Sequence, residues 1–306
     1  MTTTLKGMVS AFLSTRRLRN LSPNTITFYS QHLNKFLEFM ESHYPDVFLE
    51  QIDHTILREY VSGLKENHSA GGVNYHVKVL KILFKFMVEE GEISENPSKK
   101  ISRIKTDQTA IATFSNNQIT AMLEVTRHQM DFPGIRNYTL ITLLYDTGCR
   151  ISELLELKVD DIQLDEKILT VKGKEGKGRV VPFGDRSLIR LVKYLNGRTT
   201  LFGKGDVLFV TKFGGPLTGR MTNKIIERIG EKAKVKNIRL SAHTFSHTFA
   251  KNWLMNGCDI FNLQKILGHT TLDMVRNYVN ITFKDIQLQH SKFSPGDSLS
   301  QQNIDT

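Results

Sequence analysis

Apolar residues recur along this chain with two different periods, and the two fall in different regions. Leu5, Met8, Val9, Phe12 and Leu13 follow helical spacing. In "LSPNTITFYSQHLNKFLEFM", Ser22 is placed as an N-cap and Pro23 as the first helical residue. Its apolar face is Ile26, Tyr29, Leu33, Phe36, Leu37 and Met40. Ile56, Tyr60, Val61 and Leu64 predict a third helix. After Gly71 and Gly72, a fourth carries Tyr75, Val79, Ile82, Leu83, Phe86 and Met87, and Gly91 ends it. Four amphipathic helices predict a small all-α domain, because each apolar stripe needs another to cover it.

The pattern then breaks. "ENPSKKISRIKTDQTAIATFSNNQ" holds Pro97, small polar residues and a cation cluster, and it predicts an extended basic linker. Beyond it the periods mix. One helix is predicted from about Asn117 and another through "GIRNYTLITLLYDTG". "KILTVKG" and "GRVVPF" are short β runs separated by "KEGK", a hairpin signal. "DVLFVTKFGGPLT" predicts a further strand and turn, and the remainder is helical to about Ile286. The polar end "SKFSPGDSLSQQNIDT" predicts a mobile tail. The expected architecture is mainly α with a small β-sheet. Its expected divisions are a helical domain over 1–104, a basic linker over 105–112, a mixed α/β domain over 113–287 and a tail over 288–306.

Composition narrows the partners. With 306 residues, 40% hydrophobic and 24% charged, the chain is long enough for two globular domains. A net charge of +10 favours polyanions, nucleic acid first and anionic membrane second. The longest apolar stretch, around "YTLITLLY", is too short to span a bilayer, which removes the integral-membrane class. "MTTTLKGMVSAFL" has no long apolar core with a cleavage site, so no signal peptide is expected. Cys149 and Cys258 form neither a disulfide framework nor a zinc set, and both are expected as buried thiols in a reducing cytoplasm. Basic residues cluster at Arg16, Arg17 and Arg19, on one face of the fourth helix at Lys78, Lys81 and Lys85, and along the linker at Lys99, Lys100, Arg103 and Lys105. Such faces are often merely solvated. Against DNA they would supply phosphate contacts that position without reading sequence.

Taken singly, the reactive residues have ordinary structural explanations. Arg150 pairs with Glu153 or Asp146 on a surface, Lys174 is a solvated turn lysine, and His269 caps a helix. His243 and His247, at i and i+4, share a helix face. An H-x-x-x-H pair can hold zinc, but no glutamate lies inside this pair and no cysteine stands nearby.

Together the blocks are more specific. "TGCRISELL", "GKEGKGRVVP", "HTFSHTFA" and "LGHTTLDMVRNYVNI" present Arg150, Lys174, His243, His269 and Tyr278 in order. In this the chain resembles the tyrosine recombinases, which include phage integrases, Xer-type resolution enzymes and transposon integrases. The resemblance covers nearly the whole chain and is greatest to two-domain members. It implies a SAM-like four-helix DNA-binding domain, a mixed α/β catalytic domain, and a clamp around double-stranded recombination sites. It also implies a homo-tetramer on DNA, with the segment after Tyr278 packing on a neighbouring subunit. It requires no metal and no cofactor, and it implies a cytoplasmic, nucleoid-associated protein of prokaryotic or phage origin.

The roles that the resemblance implies agree with the residue types. Tyr278, the only tyrosine after Tyr194, would be the nucleophile of a covalent phosphotyrosine intermediate. Arg150 would clamp nonbridging oxygens bidentately. His243 would exchange a proton with the tyrosine hydroxyl, His269 would bond a phosphate oxygen, and Lys174 would protonate the departing 5′ oxygen. Glu153 and His247 would support them.

One position departs from the family. Its motif reads H-x-x-R-H, and here Ser246 stands at the arginine. A hydroxyl supplies neither the charge nor the fork of a guanidinium. Three explanations stay open. Ser246 is an introduced substitution that stalls the enzyme on DNA, or a natural residue compensated by Arg239 or a neighbouring subunit's lysine, or the mark of a chain that binds without cutting. The alternative functions are accordingly a DNA-binding regulator with a degenerate site and a metal-dependent nuclease, the latter opposed by the missing carboxylate cluster.

Overall fold

The computed structural model describes residues 4–106, 112–173, 178–268, 271, 287 and 290–293. The chain divides into two compact units, Met1–Thr109 and Ala110–Thr306.

The first unit contains α1 (Leu5–Leu18), α2 (Pro23–His43), α3 (His54–Leu64) and α4 (Ala70–Glu89). Each begins where a short polar side chain satisfies an otherwise unpaired first-turn amide. Thr4 accepts from Gly7, Ser22 from Thr25, Asp53 from Thr55 and Ile56, and Ser69 from Gly72. Phe12, Leu33, Phe36, Leu57, Leu83, Phe84 and Met87 are fully buried in the core that these helices enclose. Burial of each such side chain stabilises by about 1.5–3 kcal/mol.

The predicted extended linker is corrected in its first half. Pro97–Lys100 form a 3₁₀ turn, and Ile101 is buried in the helical core. The Asn74 amide donates to the Ile104 carbonyl at 2.9 Å, and the Ile104 N–H donates back to Asn74 Oδ1 at 2.8 Å. Two backbone bonds and one apolar anchor fix a stretch whose polar composition points to freedom.

The second unit runs α5 (Asn116–Arg127), α6 (Phe132–Thr147), α7 (Ile151–Glu156), β1 (Ile162–Gln163), β2 (Ile168–Lys172) and β3 (Gly178–Pro182). It continues through α8 (Asp185–Phe202), α9 (Gly219–Lys232), α10 (Ala242–Met255) and α11 (Ile260–Leu267). The strands form one antiparallel sheet in the order β1-β2-β3, with Leu169 opposite Val181 and Val171 opposite Arg179. Opposed residues share a face. Leu169, Val171 and Val181 are fully buried, so that face is the inner one.

The expected strand over "DVLFVTKFGGPLT" does not join this sheet; the third strand is Ile162–Gln163. The segment makes isolated bridges only, Lys158 with Val207 and Val210 with Pro216. Side chains take two of its carbonyls instead. Arg198 donates to Val207 O through Nε and Nη2, and the Tyr194 hydroxyl donates to Leu208 O. Cys149 is buried as expected, but Cys258 is exposed, because it follows Gly257 just past the end of α10.

Candidate active site

Arg150 is placed by a close approach of two helices. α6 ends at Gly148, whose φ is +62°. The Phe249 ring of α10 lies where a Cβ on Gly148 would stand, so both backbone angle and space require glycine. Two residues later Arg150 is the N-cap of α7. Glu153 reaches back across that first turn. Its Oε2 accepts the Arg150 backbone N–H at 2.8 Å and its Oε1 accepts Arg150 Nη1 at 3.0 Å. Arg150 Nη1 also donates to the Leu267 carbonyl at 3.2 Å, at the end of α11. The guanidinium is thus anchored through one nitrogen while 43% of its side chain remains exposed.

Glu153 is itself only 6% exposed. Its second partner is Arg179, which the sequence reading missed. Arg179 Nη1 and Nη2 donate to Glu153 Oε1 and Oε2 at 2.7 and 2.8 Å, a fork-to-fork pair. Burial works against the Glu153 carboxylate, but the bonds from Arg179 and the Arg150 amide outweigh it and hold its pKa below the ordinary value. Burial likewise opposes the Arg179 cation, and Glu153 overrides it in the other direction. A signal for Arg179 does exist in the sequence. In "GRVVP", the arginine shares its strand face with buried Val181, while Val180 points out at 55% exposure. An inward arginine needs buried acceptors, and only the fold shows that Glu153 supplies them. Asp146, the other partner considered for Arg150, instead accepts from Gly184 N at 2.7 Å and Ser187 Oγ at 2.5 Å at the start of α8.

The facing wall is α10. The Ser241 side chain caps it, and Thr244 Oγ1 donates to the Arg239 carbonyl at 2.7 Å, fixing the entering chain. Residues 244–250 are buried without a break, so the first turns of α10 lie deep in the unit. The His243 and His247 rings lie 4.2 Å apart, nearly perpendicular at 74°. His243 is itself exposed, but partial desolvation lowers its pKa and the charges of Arg239 and Arg150 lower it further, which favours the neutral imidazole near pH 7. Ser246, 5% exposed, donates to the Cys149 carbonyl at 3.3 Å. The structure therefore brings Arg150, Glu153, His243, Ser246 and His247 together. Lys174, His269 and Tyr278 lie outside the described residues.

The basic residues named from the sequence are on the first unit's surface. Arg16 and Arg17 occupy the last turn of α1, where positive charge suits the helix dipole, and Arg16 lies over the Phe12 ring at 4.8 Å. Arg19, Lys78, Lys85, Lys99, Lys100, Arg103 and Lys105 are exposed and Lys81 is half-buried. Lys85 also pairs with Glu89 at 3.5 Å. Among the described residues no group of three or more His, Cys, Asp or Glu side chains could hold a metal ion. No helix among them is long and apolar enough to cross a membrane.

The chain thus carries a helical unit and a second unit in which an anchored arginine lies close enough to His243 to act on its charge. Residues 112–285 match the model of the phage integrase family, and residues 8–91 match the phage integrase N-terminal SAM-like domain. The chain belongs to the phage integrase family, whose members are tyrosine recombinases. It is 30% identical over 282 residues to tyrosine recombinase XerC of Pelobacter propionicus, covering 90% of this chain and 91% of the relative. Tyrosine recombinase XerD of Staphylococcus aureus is 30% identical over 281 residues, covering 90% and 94%. Among solved structures, XerH site-specific recombinase in its post-cleavage complex with a palindromic difH substrate has a TM-score of 0.75 at 26% identity, covering 92% of this chain and 82% of that one. The Tn1549 transposon integrase with a circular intermediate DNA also has a TM-score of 0.75, at 19% identity and coverage of 95% and 100%, a likeness of fold. Site-specific recombination is the activity of this class, and the chain is an enzyme of it.

Proposed function

We propose that the chain cuts and rejoins double-stranded DNA at recombination sites through a 3′-phosphotyrosine formed by Tyr278. The tyrosine oxygen attacks the scissile phosphorus, the bond to the 5′ oxygen breaks, and the phosphodiester energy is kept for rejoining. The observation that carries this reading is the anchored, half-exposed Arg150 guanidinium beside neutral His243. Arg150 meets the charge that gathers on the nonbridging oxygens. Neutral His243 accepts the Tyr278 proton, which an imidazolium would not do. His269 bonds a phosphate oxygen and Lys174 delivers a proton to the leaving 5′ oxygen. Glu153 and His247 support the site, and no metal is needed. The Arg16, Lys78 and Lys99 clusters neutralise DNA phosphates. A homo-tetramer on DNA, with the segment after Tyr278 packed on the next subunit, would join two sites. Such a protein works where the chromosome is, in the cytoplasm.

The second reading, a DNA-binding regulator with a degenerate active site, is favoured by Ser246. Its hydroxyl is directed at the Cys149 carbonyl and brings no cation to the phosphate. A nicked suicide DNA site from the ends of the native locus separates the two. A covalent adduct lost in Tyr278→Phe establishes the recombinase. DNA binding with no adduct, even in Ser246→Arg, establishes the regulator.

A further inference from the structure

The geometry points to Arg179 as a positioning residue: it holds Glu153 and the last turn of α11 in the arrangement that aims Arg150 at the scissile phosphate. This rests on the reading of Arg150 as the phosphate clamp. Arg179 lies on the inner face of β3, opposite buried Val171, and its side chain is 14% exposed. Its two terminal nitrogens grip both Glu153 oxygens at 2.7 and 2.8 Å, and its Nε donates to the Ile266 carbonyl at 2.6 Å. Both Glu153 oxygens are at the same time the anchors of Arg150, at 2.8 and 3.0 Å. Every rotation of the carboxylate therefore moves Arg150, and Arg179 is the group that forbids the rotation.

Arg179 also joins three segments that carry the proposed chemistry. It stands on β3, five positions after Lys174 in the sequence, and it reaches α7 through Glu153. It also touches the end of α11 immediately before His269. Arg150 and Arg179 donate to adjacent last-turn carbonyls, those of Leu267 and Ile266, where a helix terminus attracts cations. Gly268 follows with φ +63°, and a Cβ there would meet Arg179 Nη1, Cδ and Cζ at 3.0 to 3.1 Å. The guanidinium thus occupies space that any other residue would contest. With all three nitrogens committed to protein, Arg179 does not replace the cation absent at Ser246. A lysine could keep its charge but not the fork.

Arg179→Lys, Arg179→Met, Glu153→Gln and the double Arg179→Met/Glu153→Gln test this, each in the full chain and again with Ser246→Arg. DNA binding by mobility shift and melting by circular dichroism check that each variant is folded. Cleavage of the nicked suicide site is followed from about pH 5.5 to about pH 8. Both Arg179 variants should still bind DNA, weakened by no more than the single scissile-phosphate contact, and lose roughly tenfold to a hundredfold in cleavage, as when a group that orients a functional partner is removed. The groups facing Glu153 are Arg150 at the start of α7, Arg179 on β3 and the Cys149 thiol. In Arg179→Met the buried carboxylate keeps only Arg150, takes up a proton as pH falls, and releases it. Relative to the parent at each pH, the cleavage defect should therefore deepen toward acid, and the double variant should be no worse than Glu153→Gln, with a defect relative to the parent that does not change with pH. A second readout needs no cleavage. The parent should bind a site with a neutral methylphosphonate at the scissile position more weakly than the natural site, and Arg179→Met should lose that preference. Full activity in both Arg179 variants, or a pH-independent loss that adds to that of Glu153→Gln, overturns the assignment. A parent that neither cleaves nor distinguishes the methylphosphonate in either background overturns the Arg150 clamp, and Arg179's role with it.

Discussion

The Ser246 hydroxyl donates to the main-chain carbonyl of Cys149 across 3.3 Å. Ser246 on α10 is thus a neutral donor turned toward the carbonyl of the residue that precedes Arg150. In the H-x-x-R-H pattern this position carries a second phosphate-clamping arginine. A serine makes one neutral bond where a guanidinium makes a charged fork.

Restoring that arginine should raise the rate of chemistry. A charge-assisted contact to the transition state in a desolvated site is worth roughly 3 kcal/mol, on the order of a hundredfold in rate. Ser246→Arg should increase covalent complex on the nicked DNA site by about that factor. Equal or lower cleavage would show that Ser246 is no defect.

Glu153 should matter for stability as well as activity. Glu153→Gln leaves the Arg179 cation in a nearly closed site without its counter-charge, a loss of about 3 kcal/mol. Trp253, the single tryptophan, lies on α10 and reports unfolding of this unit by fluorescence in urea. Because the folded-state pKa of Glu153 is depressed, its contribution is complete above the ordinary carboxylate value and is lost as pH falls through the depressed one. The gap between parent and variant should stay constant near neutrality and close only in strong acid.

Gly148→Ala tests the contact that sets Arg150. The substitution adds left-handed backbone strain to a collision with the Phe249 ring. A loss of about 2 kcal/mol or more is expected, from strain of 1–3 kcal/mol with overpacking added. Urea unfolding of the variant measures it, and an unchanged midpoint would refute the close approach.

The helical unit should weaken in mild acid. His76 on α4 is buried against the Tyr60 hydroxyl at 2.9 Å. Burial, then the charges of His32, His68 and Lys35, pushes its pKa down to about 4. The unfolded chain takes up this proton first, so stability is full above the ordinary histidine value and falls as pH drops toward 4, by at most about 3 kcal/mol. Nuclear magnetic resonance titration of the imidazoles should find one that stays neutral to about pH 4; a His76 titrating near its ordinary value contradicts the burial argument.

DNA affinity should depend steeply on salt, because lysines and arginines that neutralise phosphates release counterions. Mobility shifts over a salt series should give a log–log slope that becomes shallower when Lys78, Lys81 and Lys85 are changed to alanine. A salt-insensitive affinity would remove these faces from the interface.

Much of the first unit was legible in the sequence because its determinants are local. Apolar residues three and four apart, and caps such as Ser22 and Ser69, act within one or two turns. The β2–β3 pairing and the helix bearing His243 and Ser246 were legible on the same ground. The predictions that failed are those decided by distant partners. Ile104 is held by Asn74, 30 positions away, so the linker's first half is folded. The backbone at 207–210 is satisfied in part by the Arg198 and Tyr194 side chains and in part by single main-chain bonds from or to Leu157 and Leu217, rather than by a strand ladder. Cys258 has an apolar neighbourhood in sequence but lies beyond the glycine that ends its helix. The site divides in the same way. The sequence by itself determined which residue types are available, the arginine, the two histidines and the serine where an arginine is expected. Only the tertiary structure decided that Arg179 faces inward, that one buried carboxylate holds two arginines, and that Ser246 answers the Cys149 carbonyl 97 positions away. A buried charge or hydroxyl takes whichever partner folding brings within hydrogen-bond reach, and chain order carries no record of that distance.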